Sequence, residues 1–180
     1  MQSAKVKRVY TKYKYTPWDV AVYSAWENLS CRRQTEVIKD LFSNFNSDIV
    51  YPYRDDYLML KRSVSDLLIV YGLSNEEYSE AELIMNEIGS MDLYEPDNEY
   101  FFGAYFKLIK LQLLYSGISY RKIKLKNLLR DFGYKRRTPE LVTNINNVLY
   151  TLGLRTYLKG YEPCSIADVS IHDMIIIRLE

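Results

Sequence analysis

Two short segments with the apolar spacing of helices, joined by a basic turn, constrain this chain more than any other feature and lie within residues 119–154. The first segment follows the i, i+3, i+4, i+7 spacing of one buried helix face, and Gly133 comes where a left-handed cap ends a helix. In the second segment, Thr138 fits the N-cap and Pro139 the first helical position. Residues 134–137 lie between the segments and include three consecutive cations. The sequence therefore predicts a helix, a tight basic turn and a second helix.

Short strands are predicted on both sides of this helix pair. Residues 174–179 form a β-branched run typical of a strand, residues 155–158 form a shorter extended run, and residues 117–120 are a third candidate. A long apolar helix, residues 99–115, precedes them. The order helix, strand, helix, helix, strand, loop, strand over residues 98–180 resembles the winged-helix superfamily. The resemblance implies duplex DNA binding through a helix-turn-helix unit whose second helix enters the major groove.

Before residue 98, the apolar periodicity predicts a bundle of about four helices. Thr16, Pro17 and Asp19 combine an N-cap, a proline at the first helical position and an acid at the third. Ser74 and Glu77 have the spacing of a capping box for a further helix. The expected fold is mainly α. Its predicted parts are an arm of residues 1–15, a helical domain of residues 16–97 and a winged-helix domain of residues 98–180 with a small C-terminal β-hairpin.

The composition is that of an ordinary globular chain, with 48% hydrophobic and 26% charged residues. No run of 18 apolar residues is present, so neither a membrane span nor a membrane partner is expected, and no apolar leader segment is found. Cys31 and Cys164 lack metal-ligand spacing and fit reduced thiols, so the expected location is cytoplasmic. Residues 90–97, which include Pro96, are the candidate linker between the two halves.

The formal net charge of +1 conceals a strong segregation of charge along the chain. Residues 1–14 contain five basic residues and no acid, whereas residues 15–103 contain 6 basic and 17 acidic residues. Residues 104–162 contain 12 basic and 3 acidic residues. Such segregation bears on partners rather than on fold. The middle segment forms an acidic region that suits a protein partner, and its acids include Glu76, Glu77, Glu80, Glu82, Glu87, Asp92, Glu95 and Glu99.

If the second helix of the pair enters the major groove, its polar outer face supplies the base contacts. Asparagine pairs well with adenine, and threonine contacts the thymine methyl group, which favours A·T-containing sites. Together with Glu140, the candidates for base contact are Thr143, Asn144, Asn146 and Asn147. The candidates for phosphate contact are Lys124, Lys126, Arg130, Lys135, Arg136, Arg137, Arg155 and Lys159. The arm adds Lys5, Lys7, Arg8, Lys12 and Lys14, interleaved with tyrosines that are able to stack on bases.

Nothing in the sequence predicts an active site. The only histidine, His172, precedes the last strand, where a surface or capping role is the common one. No phosphate-binding loop, GxGxxG, HExxH or CxxC motif is present. The paired acids Asp55 and Asp56 point apart on a helix, and Asp66 follows about three turns later, so no convergent metal site is expected. The expectation is a protein that is not an enzyme and needs neither cofactor nor metal.

Two functions therefore remain open. The first is a non-enzymatic protein that binds duplex DNA and uses its helical half for dimerisation or for contact with a partner. The second is an interaction or inhibitor module of the phage or mobile-element type, which docks on a nucleic-acid-handling host protein through its acidic and basic faces. The Lys-, Asn-, Ile- and Tyr-rich composition resembles that of an AT-rich bacterium or its phage and fits both functions.

Overall fold

The computed structural model describes residues 13–85 and 98–180. The chain divides into an N-terminal unit, Met1–Asn86, and a C-terminal unit, Glu87–Glu180. The fold is mainly α, as expected, with one small antiparallel sheet. The helices of the described residues are α1 (Pro17–Trp26), α2 (Cys31–Asn44), α3 (Tyr57–Tyr71), α4 (Glu80–Met85), α5 (Asn98–Tyr115), α6 (Leu125–Asp131) and α7 (Pro139–Thr151). The strands are β1 (Arg121–Lys124), β2 (Leu154–Leu158), β3 (Glu162–Pro163) and β4 (Met174–Leu179).

Several predictions concern residues that lie outside these ranges. They are the arm cations Lys5, Lys7, Arg8 and Lys12, the candidate linker and the acids Glu87, Asp92 and Glu95. Three arm residues, Tyr13, Lys14 and Tyr15, are described. Lys14 Nζ donates to the carbonyl of Ser47 at 3.2 Å. Tyr15 is buried and forms a parallel bridge with Ile49, so the chain is already part of the N-terminal unit at this residue.

The predicted start of α1 is confirmed. Thr16 Oγ1 accepts a hydrogen bond from the Asp19 amide at 3.3 Å, while Asp19 Oδ2 accepts from the Thr16 amide at 2.8 Å. This reciprocal capping box satisfies two donors at the helix start. The helix is buried from Pro17 to Ala25 rather than along one stripe, because its sequence is apolar on almost every side. It packs against α3, which Asp56 caps at its start and Gly72 ends in a left-handed conformation.

The predicted capping box of Ser74 and Glu77 is wrong. Ser74 Oγ instead accepts a hydrogen bond from the Glu76 amide at 3.2 Å within a turn. The box lies five residues later, where Ser79 Oγ accepts from the Glu82 amide at 3.2 Å and Glu82 Oε2 accepts from the Ser79 amide at 2.7 Å. Both segments have the Ser-x-x-Glu spacing, and only the second directly precedes the buried pair Leu83 and Ile84. Burial of that pair selects the position at which the helix begins.

The sheet of the C-terminal unit has the strand order β1-β4-β2-β3, and all neighbouring strands are antiparallel. The expected C-terminal hairpin is therefore only part of a larger sheet, since β2 and β4 also pair with β3 and β1. The first strand was predicted at residues 117–120 and lies at Arg121–Lys124. Gly117 has φ +71°, which ends the preceding helix in a turn and delays the strand.

One face of this sheet covers the core of the C-terminal unit. Ile123, Leu154, Ile175 and Ile177 alternate along their strands and are buried. They lie on the same side as α5, which contacts β4 and also packs on α7. In this way the apolar alternation of three strands and the apolar side of α7 form one core, and they leave the outer side of α7 without a protein layer in this unit.

Candidate nucleic-acid interface

The α6–turn–α7 segment forms as predicted, and its ends follow from local chemistry. α6 ends in a Schellman motif, because Gly133 has φ +82° and the amides of Gly133 and Tyr134 donate to the carbonyls of Arg130 and Leu129 at 3.0 and 2.8 Å. α7 begins at Pro139, where Thr138 Oγ1 accepts from the Leu141 amide at 3.2 Å. Both helices turn their leucine and isoleucine residues inward.

Two inward anchors fix the turn between these helices. The ring of Tyr134 stacks on Phe102 of α5, with 5.6 Å between the ring centroids. At the other end of the turn, Arg137 Nη1 donates to the carbonyl of Ile166 at 2.8 Å and also to the carbonyl of Val169. Sequence reasoning missed both anchors, because the partners lie about 30 residues away along the chain. Arg137 thus holds the loop between β3 and β4, and its role is one of support.

With its ends held inward, the turn exposes the two cations between them. Lys135 and Arg136 are exposed and lie just before Arg137 and Thr138, the N-cap of α7. The other candidates for phosphate contact differ in their surroundings. Lys126 and Lys159 are exposed and Lys124 is half-buried. Arg130 pairs with Asp131 at 3.1 Å, and Arg155 pairs with Glu180, whose hydrogen bond raises the pKa of that guanidinium above its ordinary value.

The predicted base-contact residues lie outside the buried stripe of α7, two on its outer side and two at its borders. Thr143 and Asn147 are exposed, and Asn144 and Asn146 are half-buried. Thr143 Oγ1 donates to the carbonyl of Pro139 at 3.0 Å, so its hydroxyl hydrogen is engaged while its methyl group stays available. In the described ranges, none of the three asparagine amides has a hydrogen-bond partner. Their donors and acceptors are therefore available to a ligand.

A groove of about 240 Å³ runs between the second half of α7 and the edge of β2. It brings the predicted base-contact residue Asn146 to the same lining as the predicted phosphate-contact residue Arg155. Tyr150, which the sequence analysis did not single out, also lines it and is 83% exposed. The helical period of α7 predicts that Tyr150 shares a face with Asn146, because Tyr150 lies one turn after it. Cys164 lines the opposite side, and burial raises the pKa of its thiol, which disfavours the reactive thiolate.

No catalytic arrangement is found around His172. It is exposed, and its amide donates to Ser170 Oγ at 3.2 Å in the turn before β4. Within residues 13–85 and 98–180, no three His, Cys, Asp or Glu residues are grouped closely enough to hold a metal ion. None of the helices described is long and apolar enough to cross a bilayer.

Comparisons with protein-family models, with curated proteins and with solved structures find no match to this chain.

Proposed function

We propose that the C-terminal unit is a winged-helix domain that binds duplex DNA through α7, and that the protein acts without catalysis. The observation that carries this proposal is the outward surface formed by α7 and the turn before it. Asparagine amides without hydrogen-bond partners lie on the exposed and half-buried sides of α7, and the exposed cations Lys135 and Arg136 lie in the turn that leads into this helix. Residues at the start of a recognition helix contact bases while adjacent cations contact phosphates.

The chain topology supports the same proposal. From α5 onwards the elements follow the order helix, strand, helix, helix, strand, strand, when the two-residue β3 is set aside. The last long strand, β4, pairs between β1 and β2. This central position of the last strand is the one expected for a winged helix, and the loop between β2 and β4 then corresponds to the wing. Lys159 is the first residue of that loop and is exposed in the turn between β2 and β3, where it is able to contact a phosphate.

Charge gives further support. Residues 104–162 contain 12 basic and 3 acidic residues, and this segment includes the helix pair and the start of the wing. The polyanionic backbone of DNA favours such a surface at low salt through release of counterions. Arg137 is left out of the proposed contact surface, because its guanidinium supports the loop between β3 and β4.

Fluorescence anisotropy with labelled duplexes, titrated at several salt concentrations, tests the proposal. Replacing both Lys135 and Arg136 by Ala should weaken binding to every duplex by a similar factor and reduce the salt slope by up to about two units. Replacing Asn147 by Ala should cost about 1–3 kcal/mol on the preferred site only. The matched control is the replacement of Arg32 and Arg33 by Ala, two exposed neighbouring cations in the N-terminal unit.

Two results would contradict the proposal. The first is absence of duplex binding by the parent protein at low salt, and this result would favour the protein-docking alternative. The second is a Lys135 and Arg136 double variant that binds DNA as tightly as the parent at every salt concentration. If the Asn147 variant loses the same affinity for all duplexes, the proposal of DNA binding stands and the proposal of base recognition fails.

A further inference from the structure

The face of the sheet opposite the core carries cations and tyrosines. Directly opposed residues of antiparallel strands point to the same side, and Lys122, Ile176 and Tyr157 form one such row across β1, β4 and β2. Arg178 and Arg155 form the next row. Ile175 and Ile177, which flank Ile176 along β4, are fully buried, so these rows face away from the core. We name this face the outer sheet surface; its residues are Tyr120, Lys122, Arg155, Tyr157, Tyr161 and Arg178.

A stack of two rings and one guanidinium occupies this surface. The guanidinium carbon of Arg178 lies 4.3 Å from the ring centroid of Tyr161 and 5.2 Å from that of Tyr120. Lys122 Nζ lies 5.7 Å from the Tyr120 ring centroid. Both rings remain accessible, with Tyr120 42% and Tyr161 67% exposed. Arg178 Nε has no hydrogen-bond partner among the described residues, so the cation is held by its rings and not by a carboxylate.

The backbone holds Tyr161 in this stack at a conformational cost. Tyr161 has φ +65°, directly after Gly160 with φ +87°, in the hairpin between β2 and β3. Glycine adopts the left-handed region freely, whereas a residue with a Cβ atom is disfavoured there. The hairpin nevertheless has tyrosine at this position, with its ring over Arg178. An unfavourable conformation that exposes an aromatic ring points to a binding role for that ring.

We propose that the outer sheet surface binds single-stranded DNA. Bases stack on the exposed rings of Tyr120 and Tyr161, and the cations Lys122 and Arg178 contact the adjacent phosphates. Every base has a π-face, so the interaction tolerates any sequence, and the combination of aromatic rings with a positive surface is the usual one for unpaired strands. This inference does not rest on the proposed recognition of duplex DNA by α7, since the residues differ.

The chemistry of the surface favours this ligand over others. The surface has three cations, Lys122, Arg155 and Arg178. Glu180 is the acid paired with Arg155, so the net charge of the surface is positive and an anionic partner is favoured. A third row on the same side pairs Lys124 with Met174, which is 50% exposed, so the apolar side chains of these three rows are Ile176, which is half-buried, and Met174. Cations and tyrosine rings outnumber these two side chains, which favours an anionic partner over an apolar one. A protein distinguishes RNA from DNA through hydrogen bonds to the 2′-hydroxyl group. Stacking on the rings and pairing of the cations with phosphates need no 2′-hydroxyl group, so DNA is sufficient as the ligand, and oligouridine tests whether RNA is preferred.

The test is fluorescence anisotropy of the full chain with labelled oligodeoxythymidine of about 16 nucleotides, long enough for one site. Replacing Tyr120 or Tyr161 by Ala should weaken binding about 5- to 150-fold each, the loss expected for one stacked base. Replacing Tyr161 by Phe should keep binding, because the ring remains. Replacing Tyr161 by Gly suits the left-handed backbone, so a loss of binding in that variant is due to the ring and not to unfolding.

The matched control is Tyr51→Ala in the N-terminal unit. Tyr51 is 65% exposed, and Arg54 lies over its ring at 5.8 Å, so the same ring and cation are present outside the proposed surface. Unchanged oligodeoxythymidine binding is expected in this variant. Loss of binding in Tyr51→Ala equal to that in Tyr161→Ala would overturn the proposal, as would absence of binding by the parent. Binding of oligouridine more than tenfold tighter than oligodeoxythymidine would overturn the assignment to DNA.

The same titrations separate this inference from the proposed function. The variant of Tyr120 should leave duplex affinity within about twofold of the parent, because Tyr120 lies outside α7, the turn before it and the loop between β2 and β4. The double variant of Lys135 and Arg136 should lose duplex affinity and keep most of its affinity for oligodeoxythymidine. If duplex binding is absent while oligodeoxythymidine binding depends on the two tyrosines, the proposed function fails and the inference stands. The reverse pattern removes the inference alone.

Discussion

Arg137 gives the sharpest test, because its position in the basic turn predicts a contact with DNA. Its hydrogen bonds indicate instead that it supports the loop between β3 and β4. Its Nη1 atom donates to the carbonyl of Ile166 at 2.8 Å and to that of Val169. A hydrogen bond from a charged donor contributes about 1.5–3 kcal/mol net. Truncation to Ala removes both bonds, and water entering the vacated space restores part of the loss. We expect Arg137→Ala to destabilise the C-terminal unit by about 2–4 kcal/mol.

The matched control is Arg136→Ala, the preceding residue, which is exposed. Surface substitutions of this kind change stability by no more than about 0.5 kcal/mol. Arg137→Lys should be intermediate, since lysine keeps the charge and loses the fixed fork of donors. For DNA binding the order reverses. Below its melting temperature, Arg137→Ala should bind duplex DNA much as the parent does, whereas Arg136→Ala should bind more weakly.

The assay must follow the C-terminal unit itself. Both tryptophans, Trp18 and Trp26, lie in the N-terminal unit, so their fluorescence does not report on the loop held by Arg137. Hydrogen exchange resolves it, because the Asp168 and Asp173 amides donate within this loop at 3.0 Å. Their exchange should accelerate in Arg137→Ala and stay unchanged in Arg136→Ala. Equal exchange and equal urea midpoints in the two variants would refute the assigned support role.

Three further predictions follow from buried or capping groups. Leu128→Ala or Ile145→Ala, each at a buried position, should cost about 2–5 kcal/mol in urea unfolding, and unchanged stability in both would mean that the inner faces are misassigned. Burial raises the pKa of Tyr15, so the parent should lose stability above about pH 10, the ordinary tyrosine pKa, as the unfolded chain ionises first. The Tyr15 hydroxyl lacks a partner among the described residues, so Tyr15→Phe should be at least as stable as the parent and should lack this part of the alkaline loss in unfolding titrations. Ser79→Ala should cost about 1 kcal/mol and speed amide exchange in α4, whereas Ser74→Ala should leave α4 exchange unchanged; equal exchange in both would contradict the cap.

Features that depend on a few adjacent residues were predictable from the sequence. Pro139 marks the start of α7 because its missing amide hydrogen and fixed φ suit the first helical position. Gly133 marks the end of α6 because it alone reaches the left-handed cap without strain. The isoleucine run of β4 favours a strand through its β-branched side chains. In each case the determining chemistry lies within about one helical turn of the residue concerned.

Features that depend on distant partners were not predictable. Arg137 looked equivalent to Lys135 and Arg136, and the difference arises from carbonyls about 30 residues later. The stack on the outer sheet surface requires the register of β1 against β4, which the misplaced first strand concealed. Ser74 and Ser79 share one motif, and only the burial of the following residues separates them. Local propensity allows several positions for such features, and tertiary packing determines which of these positions is used.

The same distinction lowers the salt dependence that is expected for DNA binding. Eight cations of the C-terminal unit were candidates for phosphate contact, which corresponds to a salt slope of about −7 at −0.9 per contact. In the described ranges, four of them are exposed and free of an acidic or carbonyl partner, namely Lys126, Lys135, Arg136 and Lys159. A cation already paired with a carboxylate releases fewer counterions on binding, because it must first exchange one anion for another. The expected slope for one domain is therefore about −4.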